Sequence, residues 1–122
     1  MTTQQLNRIE LIGVIGNVNT RSVSGDDTVA NFSVATNYVC YYNNHPIIET
    51  TWHNVVAFKS GKDIDFDAIV KGGKIHVIGR VKQERYVDIN NEKRSFFKIV
   101  ASKVEAVPQD ECDEGFTAQF NK

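Results

Sequence analysis

Residues Asn7–Val18 read NRIELIGVIGNV, a run rich in Ile, Leu and Val that Gly13 and Gly16 interrupt. Apolar and β-branched residues favour a strand, and glycines within a strand mark a bend or a bulge. A long first strand that curves is typical of a β-barrel, because a sheet must bend to close on itself. This stretch therefore predicts the first strand of a barrel.

The rest of the chain predicts four further strands and one helix. Between residues 60 and 72 the apolar period changes, since Phe66, Ile69 and Val70 have helical spacing and Lys71-Gly72 follow as a stop. Elsewhere, segments with strand character lie between turn signals. These strands are Val29–Tyr38, Ile47–Phe58, Lys74–Tyr86 and Ser95–Val107, with Cys40–Pro46 as a loop or hairpin tip.

This order predicts an all-β fold, a five-stranded OB-fold barrel with one short helix between strands 3 and 4. A β-sandwich is the structural alternative, but it would not require a helix at that fixed position. We expect residues 1–107 to form the barrel domain and residues 108–122 to be a short, acidic, disordered tail.

Composition limits the classes of protein that remain. The chain has 122 residues, 41% of them hydrophobic and 24% charged, which suits one globular domain. No apolar run is long enough for a membrane span, and the N-terminus lacks signal-peptide character, so we expect a cytoplasmic protein without membrane contact. Cys40 and Cys112 have no metal-ligand spacing, so we expect neither a metal nor a cofactor.

The net charge of −1 hides an uneven distribution. Residues 1–107 contain 13 basic and 11 acidic side chains, whereas residues 108–122 contain one basic and four acidic. Attraction of an anion must therefore depend on where the cations lie and not on the total charge.

Two strand segments carry rings and cations on one face. Trp52 and Phe58 share a side of the third strand, while Arg80, Lys82 and Tyr86 share a side of the fourth, because side chains alternate with period two. Alternating cations and rings suit a surface that stacks bases and neutralises phosphates. Core packing is the structural alternative for Trp52 and Phe58, and cross-strand pairing is the alternative for Tyr86.

Catalysis has no support in the sequence. The chain lacks a Ser/His/Asp arrangement with motif context, a Gly-rich phosphate loop and a cluster of metal ligands, so no catalytic residue is assigned. The acidic run of Asp63, Asp65 and Asp67 lacks the later Gly and Glu of an EF-hand and suits a helix start better.

Four motifs in order carry a family resemblance: residues 7–13 (NRIELIG), 29–36 (VANFSVAT), 51–58 (TWHNVVAF), and 71–72 with 75–81 (KG and IHVIGRV). Together they resemble the bacterial single-stranded DNA-binding protein (SSB) family over residues 7–107. The resemblance implies an OB-fold that coats and protects single-stranded DNA without sequence specificity during replication, repair or recombination. It also implies a homo-oligomer, expected to be a tetramer, and places His53 near the subunit interface.

The resemblance also assigns stacking positions. It places Trp52 and Phe58 at family stacking positions, and Tyr86 where many members have Trp. A fourth ring would align with Cys40, so a neighbouring tyrosine, Tyr41, Tyr42 or Tyr38, is expected to replace it. The expected phosphate contacts are Arg8, Lys59, Lys62, Arg80, Lys82 and Arg85.

The C-terminal residues are compatible with more than one function. Relatives carry a long linker and an acidic tip ending in Pro-Phe that recruits replication and repair proteins, whereas this sequence ends in Phe120-Asn121-Lys122. A reduced partner-recruiting role for the tail is one possibility, and a solubilising tail is the simpler one. The alternative function is a primosome-type OB-fold adaptor that acts mainly through protein partners.

Overall fold

The described part of the chain, residues 4–23, 25 and 27–108 of a computed structural model, forms strands and a single short helix. The strands are β1 (Ile9–Ser22), β2 (Thr28–Tyr42), β3 (His45–Phe58), β4 (Asp63–Ile64), β5 (Lys74–Val87) and β6 (Lys93–Ala106). A 3-10 helix, Phe66–Ala68, lies between β4 and β5. The sheet order is β3-β2-β1-β5-β6-β4, and an additional parallel pairing of β3 with β6 closes the barrel. The all-β, OB-type barrel predicted from the sequence is confirmed.

The first strand curves where its glycines predict. The register of β1 against β2 shifts between Ile15 and Val18, which marks a bulge. A Cβ atom at Gly13 would lie 2.2 Å from the carbonyl oxygen of Ala35, so the two backbones approach too closely for any side chain there. The curvature lets β1 pair with β2 on one side and with β5 on the other.

The β2–β3 hairpin is longer than the sequence predicts. Its tip is a two-residue turn in which Asn43 and Asn44 have positive φ of 51° and 66°, and asparagine tolerates this conformation well. Both strands continue to this turn, so most of the segment predicted as a loop is paired strand. Because β1 pairs with β2 only as far as Ala35, the outer part of the hairpin projects beyond the barrel as a two-stranded ribbon.

The predicted helix is reduced to one 3-10 turn. Ile64 pairs with Val104 of β6, and the Asp65 N–H donates to the Val104 carbonyl at 2.9 Å. Because Ile64 and Asp65 bond to β6 in this way, the helix contains only Phe66–Ala68. Ile69 is buried, whereas Val70, expected on the same helical face, is 53% exposed.

The core fills the inside of the barrel. The most completely buried large side chains come from every long strand: Ile15, Val34, Val55, Ile75, Val77 and Val104. Burial of each such side chain stabilises the fold by about 1.5–3 kcal/mol. The alternate positions of these strands face outward, and the candidate site lies on that outer face. The boundary proposed at residue 108 is not tested, because residues 109–122 lie outside the described residues.

Candidate nucleic-acid interface

Trp52 lies on the outer face of the barrel. It is 59% exposed and pairs across the sheet with Ala35. Beneath its ring lies Gly16 in the bulge of β1, where a Cβ atom would come within 2.6 Å of the Trp52 Cζ3 atom. Core packing is therefore the wrong description of Trp52, whose ring is positioned against backbone and open to solvent.

Tyr86 and Phe96 form an aromatic pair on the same outer face. Their ring centroids are 5.9 Å apart with an interplanar angle of 63°, an edge-to-face contact across β5 and β6. Val56, which shares the face of Trp52 on β3, pairs with Val100 of β6. Phe96 lies four residues before Val100, and because this spacing is even, its side chain lies on the same face. The sequence reading missed Phe96, although its position two residues from Lys98 repeats the ring-and-cation alternation seen in β5.

Phe58 lies at the far end of β3 from the ribbon. It is 42% exposed and pairs with Val29, about 20 Å along the strand from Trp52 at the usual rise per residue. Lys59 and Lys62 follow it on the surface, and the Lys59 Nζ atom lies 5.9 Å from the centroid of the Phe66 ring. Phe58 and these lysines form a second patch, separated from Trp52 by the buried Val56.

The hairpin register sorts the three candidate tyrosines by face. Tyr41 is two residues from Val39 and six from Ala35, so it shares the face of Trp52. Tyr38 and Tyr42 have the opposite parity, as does Cys40, whose thiol donates to Glu49 at 3.3 Å. All three tyrosines are more than 60% exposed. Tyr41 is therefore the tyrosine on the face that the other stacking candidates occupy.

Three charged side chains lie beside the aromatic pair on β5 and β6, where Glu84 is directly opposite Phe96. The Glu84 carboxylate accepts from the Lys98 ammonium at 2.8 Å and from the Lys82 ammonium at 3.3 Å. Lys82 and Lys98 are directly opposed across β5 and β6, and their hydrogen bonds hold the pKa of Glu84 below its usual range. The site thus has two cations that share one anion, and Lys98 is a second residue that sequence reasoning missed.

The other predicted cations are dispersed. Arg80 is exposed on the outer face opposite Val100, so it extends the row that begins at Lys82. Arg85 has the opposite parity and lies on the other face of the β5–β6 hairpin. Arg8 precedes β1 and lies 3.7 Å from the Glu10 carboxylate.

The two histidines of the barrel have different environments. The His53 Nε2 atom lies 2.8 Å from the Thr36 hydroxyl oxygen, and partial burial lowers the pKa of this imidazole. His76 bridges two carboxylates, with Nδ1 at 2.9 Å from Glu105 and Nε2 at 2.6 Å from Glu10. The hydrogen bond to Glu105, followed by that to Glu10, raises the pKa of His76.

An amide-rich groove of about 330 Å³ lies beside Trp52 on the outer face. Phe96 and Lys98 of β6 form one wall. The polar side chains that line it are Asn17, Asn19, Asn31, Ser33 and Asn54. The groove, Trp52 and the aromatic pair form a continuous surface with rings, amides and cations. That combination can contact the faces, edges and phosphates of a single nucleic-acid strand.

Two other kinds of site have no counterpart in the described region. Within it, no group of three or more His, Cys, Asp or Glu side chains is arranged to hold a metal ion. None of its helices has the length and apolar character needed to cross a membrane.

Comparison with known proteins identifies the family. Residues 6–107 match the single-strand binding protein family, so the chain belongs to that family. The rabbit (Oryctolagus cuniculus) mitochondrial single-stranded DNA-binding protein is 33% identical over 110 residues, which are 83% of this chain and 74% of that protein. The single-stranded DNA-binding protein of Neisseria meningitidis is 31% identical over 101 residues, covering 81% of this chain and 58% of that protein.

A solved structure shares the fold. The Plasmodium falciparum SSB, in complex with single-stranded DNA, superposes with a TM-score of 0.71 at 27% identity. The match covers 90% of this chain and all of that one. The resemblance to the SSB family predicted from sequence motifs is confirmed.

Proposed function

We propose that this protein binds single-stranded DNA without strong sequence preference, and coats and protects it during replication, repair or recombination. The observation that carries the proposal is the exposed Trp52 ring on the same barrel face as the Tyr86–Phe96 pair, with Lys82 and Lys98 on that face as well. Stacking on a ring accepts any base and contributes about 1–3 kcal/mol per base. Family membership supports the same function.

The bound strand would follow the outer face from the hairpin ribbon across the barrel. Tyr41, Trp52 and the Tyr86–Phe96 pair supply the ring faces, while Arg80 and Lys82 contact phosphates. Phe58, with Lys59 and Lys62, supplies a second contact patch. Arg8 supplies a further phosphate contact at the start of β1. Tyr42 and Arg85 face the other way, so a strand that follows the outer face would not contact them.

Binding to labelled oligo-dT, measured by anisotropy over a range of salt concentrations, tests the proposal. The logarithm of the affinity should fall with the logarithm of salt concentration by about 0.7 per phosphate contacted. Trp52→Ala should weaken binding about fivefold or more, whereas Tyr42→Ala, an exposed ring on the opposite face, serves as the matched control. Equal affinity for duplex DNA, or an unaffected Trp52→Ala variant, would contradict the proposal. Absence of oligo-dT binding would favour the adaptor function instead.

The assembly belongs to the same proposal. We assign a homotetramer with His53 at a subunit contact, and the family resemblance supports this assignment. Its partly buried imidazole, bonded to Thr36, suits a packed surface better than a solvent-facing one. Analytical ultracentrifugation of His53→Ala should show a smaller species, and an unchanged assembly would remove His53 from the interface.

The proposal also covers where the protein acts and what its C-terminal tail does. The protein would act in the cytoplasm, on the nucleoid, which suits a DNA-coating function. Residues 108–122 would serve as a solubilising tail with a reduced partner-recruiting role. Removing them should leave oligo-dT affinity unchanged, and an unchanged pull-down of replication and repair proteins would exclude recruitment.

A further inference from the structure

Two exposed surfaces lie on the hairpin faces that point away from the proposed DNA-binding face. The β5–β6 hairpin is a two-stranded ribbon beyond Val81, because β5 pairs with β1 only as far as Gly79 and β6 pairs with β3 only from Ile99. Strands β3 and β6 are parallel where they meet, and each begins at its own hairpin turn, so both ribbons leave the same end of the barrel. We call their faces opposite Trp52 and opposite Tyr86 the β2–β3 surface and the β5–β6 surface.

The β2–β3 surface is apolar and acidic. It is formed by three cross-strand pairs, Tyr38 with Glu49, Cys40 with Ile47, and Tyr42 with His45. The two tyrosines and Ile47 are exposed. Residues 36–58 contain no Lys or Arg, and Glu49 is their one acidic residue. Within the described part of the chain, the Glu49 carboxylate accepts a weak hydrogen bond from the Cys40 thiol and has no cation beside it.

The β5–β6 surface is apolar and basic. It is formed by three cross-strand pairs, Gln83 with Phe97, Arg85 with Ser95, and Val87 with Lys93. Phe97 is 61% exposed and Val87 is 58% exposed. Arg85 and Lys93 are exposed too, and neither forms an ion pair with another described residue. An open groove of about 520 Å³ runs beside these two cations, with room for a tyrosine side chain.

The two surfaces are complementary, yet both stay exposed within one chain. Large apolar side chains grouped on an exposed face mark an interaction site, and each surface has such a group. One surface carries a carboxylate and the other carries two cations, which suits contact between them. A two-stranded ribbon also gains stability when a face is packed. A second copy of the chain therefore offers each surface the partner that it lacks.

We propose that the β2–β3 surface of one copy packs against the β5–β6 surface of a second copy bound beside it on the same DNA strand. The inference rests on the proposed single-stranded DNA binding and adds a contact between neighbours. Glu49 of one copy pairs with Arg85 and Lys93 of the next, and the apolar side chains of the two ribbons pack together. Because the two surfaces differ, every copy keeps one of them free for a further copy, so the contact can repeat along a strand.

The contact acts mainly on DNA because it is small. Two ribbon faces of a few residues each bury less area than the interface of a stable complex. Binding to one strand raises the effective concentration of each copy near the next. The contact should therefore appear as cooperative binding on long strands and have no effect on a strand that holds one protein assembly.

The test compares poly-dT with an oligo-dT that accommodates one assembly, in mobility-shift titrations. A site beside an occupied site should bind the wild type about fivefold or more tightly than an isolated site, since one exposed ion pair contributes up to about fivefold. Glu49→Arg should remove this preference, as should Arg85→Glu/Lys93→Glu. The variant with all three changes, in which the charges are exchanged, should restore it. Asp67→Arg, on the 3-10 turn away from both ribbons, makes the same charge change as Glu49→Arg and should keep the preference.

Two outcomes would assign the β5–β6 surface to another occupant. On the short oligo-dT, Arg85→Glu/Lys93→Glu should keep the wild-type salt dependence. A log–log slope shallower by about 0.7 per lost contact would place these cations on phosphates and overturn the proposal. Deletion of residues 108–122 should leave the preference for occupied neighbours unchanged. Loss of the preference would make the acidic tail the occupant and would also overturn the proposal.

Sedimentation velocity of the free protein at high concentration separates this contact from DNA binding. If the protein binds neither strand but associates further as its concentration rises, and the charge reversals abolish that association, DNA binding is wrong and the contact stands. If it binds both strands without preference for occupied neighbours, or if the charge exchange fails to restore the preference, the contact is wrong while DNA binding stands. Neither binding nor association would refute both. All three substituted side chains are exposed, so we expect the variants to fold, and unchanged thermal midpoints verify that.

Discussion

Glu84 offers a quantitative test of the charges on the proposed binding face, because it is an anion where phosphates are expected. It is bonded to both Lys82 and Lys98, which oppose each other across β5 and β6. A phosphate that contacts these lysines must compete with the carboxylate. Glu84→Gln raises the local charge from +1 to +2, so we expect one more counterion to be released on binding.

The size of the effect follows from the counterion term. One additional phosphate contact steepens the salt dependence by about 0.7 in log–log slope. If the two proteins bind equally at 1 M salt, the variant should bind oligo-dT about eightfold more tightly at 50 mM and about threefold more tightly at 200 mM. The folding cost is small, because each exposed pair contributes only about 0.2–1 kcal/mol.

Anisotropy titrations with labelled oligo-dT at several salt concentrations measure both quantities. Glu49→Gln removes the same charge from the opposite face of the β2–β3 hairpin, so it controls for net charge alone. An unchanged slope in Glu84→Gln, or weaker binding than the wild type, would refute the competition. Weaker binding would mean that Glu84 instead holds the lysines in the geometry that phosphates need.

Three further predictions concern separate parts of the molecule. Tyr41→Ala should weaken oligo-dT binding by about 1–3 kcal/mol while Tyr42→Ala has little effect, and equal losses in anisotropy titrations would refute the face assignment. Gly16→Ala should displace the Trp52 ring, which a shifted emission maximum of the free protein would reveal and an identical spectrum would exclude. His76 has a raised pKa, so its stabilising contribution is complete below its unfolded pKa near 6.5 and is lost as pH rises through the folded value. The urea midpoint of the wild type should therefore exceed that of His76→Gln most at pH 5.5 and least at pH 9, and a pH-independent difference would contradict this.

The barrel could be predicted because its strands follow period two and its glycines mark the bend in β1. The length of the hairpin could not. Residues 40–46 contain Asn43-Asn44 and Pro46, which are turn signals in any local reading. The structure uses only the two asparagines for the turn, because the long strands on either side fix the register. The helix is shorter than the sequence predicts for a similar reason, because residues 63–65 form hydrogen bonds with β6 in place of a first helical turn.

The candidate site was predicted in part. Trp52, Phe58 and Tyr86 follow from alternation within single strands, and all three are exposed in the structure. Phe96 and Lys98 depend on which strands become neighbours, and that is a property of barrel closure between β3 and β6. The choice among the tyrosines likewise needed the hairpin register, because neighbouring residues of a strand face opposite ways.

The central claim, that Trp52 stacks on the bases of a single strand, has one direct measurement. Trp52 is the single tryptophan of the sequence, so intrinsic fluorescence reports on it alone. Addition of oligo-dT at low salt should quench the emission strongly and saturably, with recovery as salt is raised. Unchanged emission, at concentrations where anisotropy shows the oligonucleotide to be bound, would contradict the stacking role of Trp52.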